Sequence, residues 1–438
     1  MKKLFAGFLA LTVCAGAYAQ YADAPAASLG MGEVASELSM HVQFLSSAAL
    51  EGRGAGTEGE KEAAEYVHEA LCEAGIDMLS PEGGEIFGIR MESGDTLTSR
   101  NVVGFIPGYD PKLRDHYIVI SARLDNLPPA LVNVNGQPRE KIYYGANSNA
   151  SGLAALIRLA GVLNTNKVLL KRSVIIAAWG ASRHLCAGSW YFLNRSFPDA
   201  ANIDAMINLD MLGTGTLGFY AYTCSNPDMD GYVRELASTL QPVKPELVSA
   251  EPFCSDHRSF YASEIPSVLF TTGVFPEYNS DRDVESIIEY DGMERELEYI
   301  YNFAVALACG NAPSFKTKVG GDHSADDGVV QYYDCDTPPT FFGSSDPRKF
   351  LTKWVYMYLR YPQEAVRQGI QGRVLVDFII DEKGKVTDVK VLKGVDELLD
   401  EEAVRVIEAS PDWKPGKVHG RKVKTELSLY VEFRLEKK

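Results

Sequence analysis

Basic residues are in deficit in this chain of 438 residues: 43 Lys and Arg stand against 59 Asp and Glu, for a net charge of −16. That balance argues against a surface built to neutralise nucleic-acid phosphates and fits a self-repelling soluble particle. Long apolar runs are missing too. Leu4 to Ala17 is about fourteen residues long, short of the roughly 20 needed to span a bilayer, and no later stretch approaches it. Cysteine is sparse, and no Cys-x-x-Cys pair suggests a structural zinc. No Gly-x-Ser-x-Gly elbow presents a nucleophilic serine. The glycine-rich loop Leu50 to Gly59 is not followed by Gly-Lys-Ser/Thr, so it makes a weak phosphate cradle. His41, His68, His116, His323 and His419 are scattered without metal-ligand spacing.

What is present begins with an export signature. Lys2 and Lys3 precede the apolar Leu4 to Ala17, and Ala17-Tyr18-Ala19 is a small-x-small cleavage site. Residues 1–19 are therefore expected to be a signal peptide cut after Ala19, which puts the mature chain in the periplasm with no membrane span. Val13 before Cys14 argues against lipidation. Six cysteines remain after cleavage, and their spacing defines no disulfide framework; free, mostly buried thiols are expected.

The length predicts two domains. In the first, Tyr117 to Ser121, Val174 to Trp179, Ala205 to Leu209 and Ser267 to Thr271 are short, continuous apolar runs, the pattern of strands covered on both faces. Helical periodicity lies near residues 34–75, interrupted by the Leu50 to Gly59 loop, and again at Gly152 to Leu163, with Ser151 as N-cap, and at Tyr232 to Leu240. The fold class is α/β, a doubly wound, mostly parallel sheet between helical layers. Ligands of such sheets bind beyond the carboxyl ends of the strands, so the residues after each run are the candidates.

Those residues carry a resemblance. Gly145-Ala146-Asn147-Ser148-Asn149-Ala150-Ser151-Gly152, Asn208-Leu209-Asp210-Met211, Ser255-Asp256-His257, Gly104 to Gly108 and the Leu50 to Gly59 loop are similar to motifs of the di-zinc aminopeptidase family, which includes glutaminyl cyclases. The resemblance spans residues 34–312 and implies a zinc-exopeptidase-like α/β/α fold. It also implies five metal-ligand positions, which here read Arg123, Ser148, Arg183, Asp210 and Asn279. In the family the Ser148 position is an Asp bridging two zinc ions. The Ser182 position is the Glu that acts as general base, and Asp125 is the residue that orients a zinc-bound His. Asp210 alone keeps its ligand chemistry. Arginine has no acceptor atom and keeps its proton, so Arg123 and Arg183 cannot ligate a metal. A catalytically inactive domain without cofactor is expected, with a zinc aminopeptidase as the alternative.

Arg123 and Arg183 are expected to project into the volume of the lost metals and to pair there with Asp125 and Asp210. Two readings of that cluster stand: a structural network of ion pairs, or a cationic pocket for a ligand's carboxylate or phosphate. Ser182, His184 and His257 would need mutual hydrogen bonds and an acid to act as a serine hydrolase.

Residues 313–336 are rich in Pro, Gly, Ser and Asp and are expected to be a linker. Residues 337–438 carry a complete second pattern. A helix is predicted over Asp346 to Arg360, a hairpin over Arg373 to Ile380 and Val386 to Leu392, and a helix over Leu399 to Ala409. The last strand alternates at Leu427, Leu429, Val431, Phe433 and Leu435, predicting one face in water. Tyr361-Pro362, Gly369 to Gly372, Asp381 to Gly384, Leu399 to Ala403, Trp413 to Gly416 and Phe433-Arg434-Leu435 resemble the TonB C-terminal domain. That resemblance implies an α+β module binding envelope proteins or peptides by strand addition, with outer-membrane transporters or the cell wall as partners. A cleavable signal and a short linker argue against energy transduction, which requires an inner-membrane anchor and a long spacer.

Overall fold

The computed structural model describes residues 32–435 apart from 92–93, 135–136, 216–217, 250, 316–328, 333–334, 336, 346 and 419. The expected signal peptide and part of the expected linker lie outside the described residues.

The strands of the first domain are β1 (Asp77–Met78), β2 (Glu85–Arg90), β3 (Thr96–Ile106), β4 (Tyr117–Arg123), β5 (Ala130–Val134), β6 (Gln137–Lys141), β7 (Ser173–Trp179), β8 (Ile203–Leu209), β9 (Tyr220–Tyr222), β10 (Glu246–Val248) and β11 (Ser267–Thr271). Nine of them form one sheet in the order β1-β3-β7-β4-β8-β11-β9-β10, with β2 on β3, while β5 and β6 pair separately. The centre, β7-β4-β8-β11, is parallel. All seven residues of β7 and all five of β11 are buried, because helices cover both faces and no position points at water. The parallel centre aligns the carboxyl ends of four strands along one edge. Arg123, Gly180 to Arg183, Asp210 and the segment after Thr271 all leave the sheet there.

Two local expectations are corrected. Ser151 is the first helical residue of Ser151–Thr165 and not its cap: its Oγ donates to the Asn147 carbonyl (2.9 Å). Asn149 does the capping work instead, its Oδ1 accepting from Gly152 N (3.2 Å) and Met211 N (2.9 Å). The helix expected at Tyr232 to Leu240 runs Pro227–Ala237, because Asn226 accepts from Asp228 N and Met229 N and Pro227 fits the first turn.

The second domain has β12 (Val329–Gln331), β13 (Gly372–Ile380), β14 (Val386–Lys393), the short hairpin β15 (Lys417–Val418) and β16 (Arg421–Lys422), and β17 (Lys424–Phe433). Its sheet has the order β12-β17-β13-β14. β12 lies within the stretch expected to be linker and pairs in parallel with the start of β17. One face of the sheet carries Val374, Val376, Phe378, Leu427, Leu429 and Val431 against helix Glu397–Glu408, Phe350 and Trp413. Asp396 caps that helix, accepting from Leu398 N.

The other face was expected in water along the last strand, and it is not. Tyr430 and Glu432 are buried, because this face packs on the first domain. Leu375 and Tyr430 join Tyr220 and Val248 in one apolar cluster, with the Tyr220 and Tyr430 rings 4.9 Å apart. Arg373 pairs with Glu432 (3.3 Å) and lies 5.6 Å from the Tyr220 ring centre. Met211, Phe253, Phe275 and Tyr278 of the first domain share a core with the second. Alternation shows which residues point away from a domain's own core; it says nothing of a second domain arriving on the far side.

Candidate functional site

Arg123 ends β4 and reaches along the carboxyl edge of the sheet. Its Nη2 donates to Asp210 Oδ1 at 3.0 Å and to Ser148 Oγ at 3.4 Å, and its Nη1 to the Asp125 carbonyl at 3.0 Å. Arg183, in the turn after β7, sends Nη2 to Asn126 Oδ1 (2.7 Å) and Ser148 Oγ (3.1 Å), and Nη1 to Tyr278 Oη (2.9 Å). Its guanidinium also lies 5.4 Å from the Tyr278 ring centre. The Ser148 hydroxyl thus bridges two guanidinium groups, at the position where the family resemblance implies an Asp bridging two zinc ions.

The carboxylates are arranged around these cations. Asp210 uses both oxygens, Oδ1 for Arg123 and Oδ2 for Ser255 Oγ (2.7 Å). Asp125 turns its oxygens to the backbone N–H groups of Ser182 (2.8 Å) and Arg183 (3.3 Å), pinning the Arg183 turn. Burial raises the pKa of Asp125, while Arg123 and Arg183 act against that rise. Burial opposes the charge on Arg123, but Asp210, Tyr278 and Asp125 together outweigh it and the pKa ends above that of an ordinary arginine.

Three further groups escaped the sequence reading, although Arg53 and Asp256 lie in stretches already singled out. Arg53, from the Leu50 to Gly59 loop, is fully buried and donates to the carbonyls of Leu45, Leu124 (3.3 Å), Tyr144 (3.1 Å) and Gly145 (3.0 Å). Burial and the neighbouring Arg123 pull it down to about 9. Asp283 accepts Asn147 N (2.7 Å) and Ser148 N (3.2 Å), and burial pushes it up to about 7. Asp256 accepts Ser182 Oγ (2.6 Å) and Ser189 Oγ (2.7 Å), and burial takes it too up to about 7.

His257 is not in this cluster. Its Nε2 meets Glu251 (2.9 Å), which also holds Arg258. Ser182 therefore faces an acid, and the histidine of the hydrolase alternative is engaged elsewhere. Asn279 adopts a left-handed backbone (φ 56°), and its Oδ1 is buried with no hydrogen-bond partner.

The donor set does not fit a pair of zinc ions. Arg123 and Arg183 have no lone pair to offer, Ser148 is a neutral hydroxyl already accepting from both, and Asp210 has both oxygens engaged. Among the described residues no group of three or more His, Cys, Asp or Glu is placed to hold a metal. What the arrangement does chemically is balance charge: Arg53, Arg123 and Arg183 face Asp125, Asp210 and Asp283.

Residues 101–304 match Peptidase family M28, and residues 357–435 match the Gram-negative bacterial TonB protein C-terminal family. The chain is 25% identical over 231 residues to leupeptin-inactivating enzyme 1 of Streptomyces exfoliatus, covering 52% of this chain and 46% of that protein. It thus spans about half the length of that relative. Similar solved structures include the zinc aminopeptidase BSAP of Bacillus subtilis, at 15% identity and TM-score 0.50 over 64% of this chain and 97% of that one. LapA of Legionella pneumophila is another, at 19% identity and TM-score 0.51 over 63% and 73%. At these identities the structural likeness shows the fold alone. Among the described residues no helix is long and apolar enough to cross a membrane.

Proposed function

We propose, from the match of residues 101–304 to peptidase family M28 and of residues 357–435 to the TonB C-terminal family, that this chain is an exported periplasmic binding protein whose peptidase-type domain does not hydrolyse peptides. The observation that carries this reading is the Arg123–Asp210 pair: the one family ligand position that keeps a carboxylate is bonded to a guanidinium at 3.0 Å. A buried ion pair of this kind takes up the lone pairs that a dication would need. The peptidase-type domain serves as a rigid, charge-balanced platform without zinc. The C-terminal domain recognises peptides or envelope proteins, outer-membrane transporters and cell-wall components among them, by adding a partner's strand to its sheet.

The test is hydrolysis of aminoacyl-nitroanilides by the purified full chain, with and without added zinc, alongside a direct measurement of bound zinc. No turnover and no stoichiometric zinc are expected. Zinc-dependent hydrolysis that a chelator abolishes would overturn the reading. It would also favour the second one, a zinc aminopeptidase of the envelope, which the M28 match over residues 101–304 supports.

A further inference from the structure

Three turns meet at one end of the C-terminal sheet. The turn between β13 and β14, Asp381 to Lys385, gives its Gly384 carbonyl to Trp413 N (2.7 Å). Thr340 and Lys414 exchange two backbone hydrogen bonds, each 2.9 Å, which brings the turn Phe341 to Ser344 alongside. Lys414 leads into the β15–β16 hairpin, where Lys417 exchanges bonds with Thr337 (2.8 and 3.1 Å). Ile380 pairs with Thr425 at this end, whereas Arg373 and Glu432 pair near the other end of the same strands. The three turns thus lie about 20 Å along β13 from the seam with the first domain.

In a chain of net charge −16, the sign of the charge is reversed here: residues 414–424 hold Lys414, Lys417, Arg421, Lys422 and Lys424 and no acid. Lys414, Arg421, Lys422 and Lys424 are exposed, and none of the five pairs with an acid among the described residues. The neighbouring turn adds Lys383 and Lys385, and its Asp381 turns one oxygen to their backbone N–H groups (2.8 Å each). Glu382 and Asp412 are the exposed acids nearby. Phe342 stands at the tip of its turn, 74% exposed. Its backbone is left-handed (φ 47°), a conformation that bulky residues seldom adopt. Its ring rests 4.5 Å from that of buried Phe341, which in turn packs on Trp413 (4.9 Å). The fold therefore accepts a backbone cost to hold a large apolar ring in water beside a row of unpaired cations.

We propose that this end of the C-terminal domain docks on an anionic bilayer surface, with the Phe342 ring in the headgroup layer and the cations of the β15–β16 hairpin on lipid phosphates. Cations alone would serve any polyanion; the ring favours a bilayer. An aromatic side chain gains by leaving water at the headgroup boundary, and lysines beside it keep their charge in water while their stems cover apolar surface. Each cation held near an anionic leaflet strengthens binding about fivefold, and salt weakens that contribution. The docking goes beyond peptide recognition and depends neither on zinc in the first domain nor on strand addition.

The experiment uses the chain as exported, without residues 1–19, whose apolar run would itself enter a bilayer. It is sedimented with sucrose-loaded vesicles of phosphatidylcholine, alone or with about one quarter phosphatidylglycerol, at low salt and at about 0.15 M. Binding to the phosphatidylglycerol vesicles alone, weaker at the higher salt, is expected. Arg421→Ala with Lys422→Ala should lower the partition coefficient about 25-fold and flatten its salt dependence. Phe342→Ala should lower it about 10-fold and leave the salt dependence unchanged. All three positions are exposed, so an unfolding midpoint equal to that of wild type checks that each variant is folded. Equal binding to both kinds of vesicle, binding to neither, or binding that survives both variants would overturn the proposal. So would loss in the charge variant with none in Phe342→Ala, the mark of a cationic surface for an acidic protein partner.

Discussion

The Arg123 guanidinium reaches a carboxylate at 3.0 Å, a hydroxyl and a carbonyl within one domain. Where the two domains meet, Arg373 places Nε and Nη2 on a single oxygen of Glu432, both at 3.3 Å, and the neighbouring Tyr430 Oη is buried with no hydrogen-bond partner. Glu296 Oε2 is also buried without one, and burial holds Glu296 well above an ordinary carboxyl, close enough to Arg373 to feel its charge. Both pairs are almost fully removed from water. They differ in what surrounds them. The first is ringed by loops that present oxygens and N–H groups, and the second by aromatic rings and aliphatic side chains. A buried charge stabilises a fold only when its remaining donors and acceptors are also met. The same interaction should therefore be indispensable at the arginine cluster and replaceable at the domain seam.

Asp210→Ala gives the largest contrast. It leaves Arg123 buried without its carboxylate, and a loss of about 3–5 kcal/mol in denaturant unfolding is expected. Adding Arg123→Met to that variant should recover part of the loss by removing the stranded charge. A loss below about 1 kcal/mol, typical of an exposed pair, would show that water or another group replaces Asp210 at no cost and that the cluster is not closed.

A titration sharpens the comparison next. Burial takes Asp256 from an ordinary value of 3.8 up to about 7 in the folded chain. The folded state then binds more protons than the unfolded one between those values, so the contribution of Asp256 is fully present below about pH 4 and is lost as pH rises through about 7. His41, pushed down to about 4 by burial, has the opposite sign, its contribution being lost as pH falls. It is common to wild type and variant and cancels in their difference. Asp256→Asn cannot ionise, so relative to wild type it should gain about 2 kcal/mol between pH 5 and 8. A difference that stays flat with pH would mean that Asp256 is ionised in the fold throughout. Tyr278→Phe is milder. It removes the oxygen that Arg183 Nη1 meets at 2.9 Å while keeping the ring, and about 1 kcal/mol is expected in the same unfolding assay.

The strand ends that deliver Arg123, Arg183 and Asp210 were legible because a continuous apolar run marks where a buried strand stops, and a parallel sheet aligns its stops. The partners of the charges were less legible. Asp125 meets backbone N–H groups, which any residue supplies and no motif records. Arg53 lies in a glycine-rich loop whose composition points to backbone geometry, whereas its guanidinium collects four carbonyls. His257, grouped by sequence with Ser182 and His184, is claimed instead by Glu251, six residues earlier. The last strand misled for a different reason. Tyr430 and Glu432 sit at positions that alternation assigns to solvent, and they are covered by residues more than 170 positions away in sequence, such as Tyr220.

That covered face provides the smallest expected effect and the most direct test of the contrast. Arg373→Met or Glu432→Leu alone strands one buried charge and should cost about 3 kcal/mol. The double variant Arg373→Met with Glu432→Leu removes both charges and offers apolar surface to Leu375, Tyr430, Tyr220 and Val248. Because the pair gives up only one oxygen at 3.3 Å, the double variant should unfold within about 1 kcal/mol of wild type. Arg434, which also meets Glu432 (2.9 Å), keeps Glu277 at 3.9 Å as a partly exposed partner. An interaction energy near zero in the double-mutant cycle, with both charges lost at full additive cost, would place the seam beside the arginine cluster as a network whose other contacts carry each charge separately.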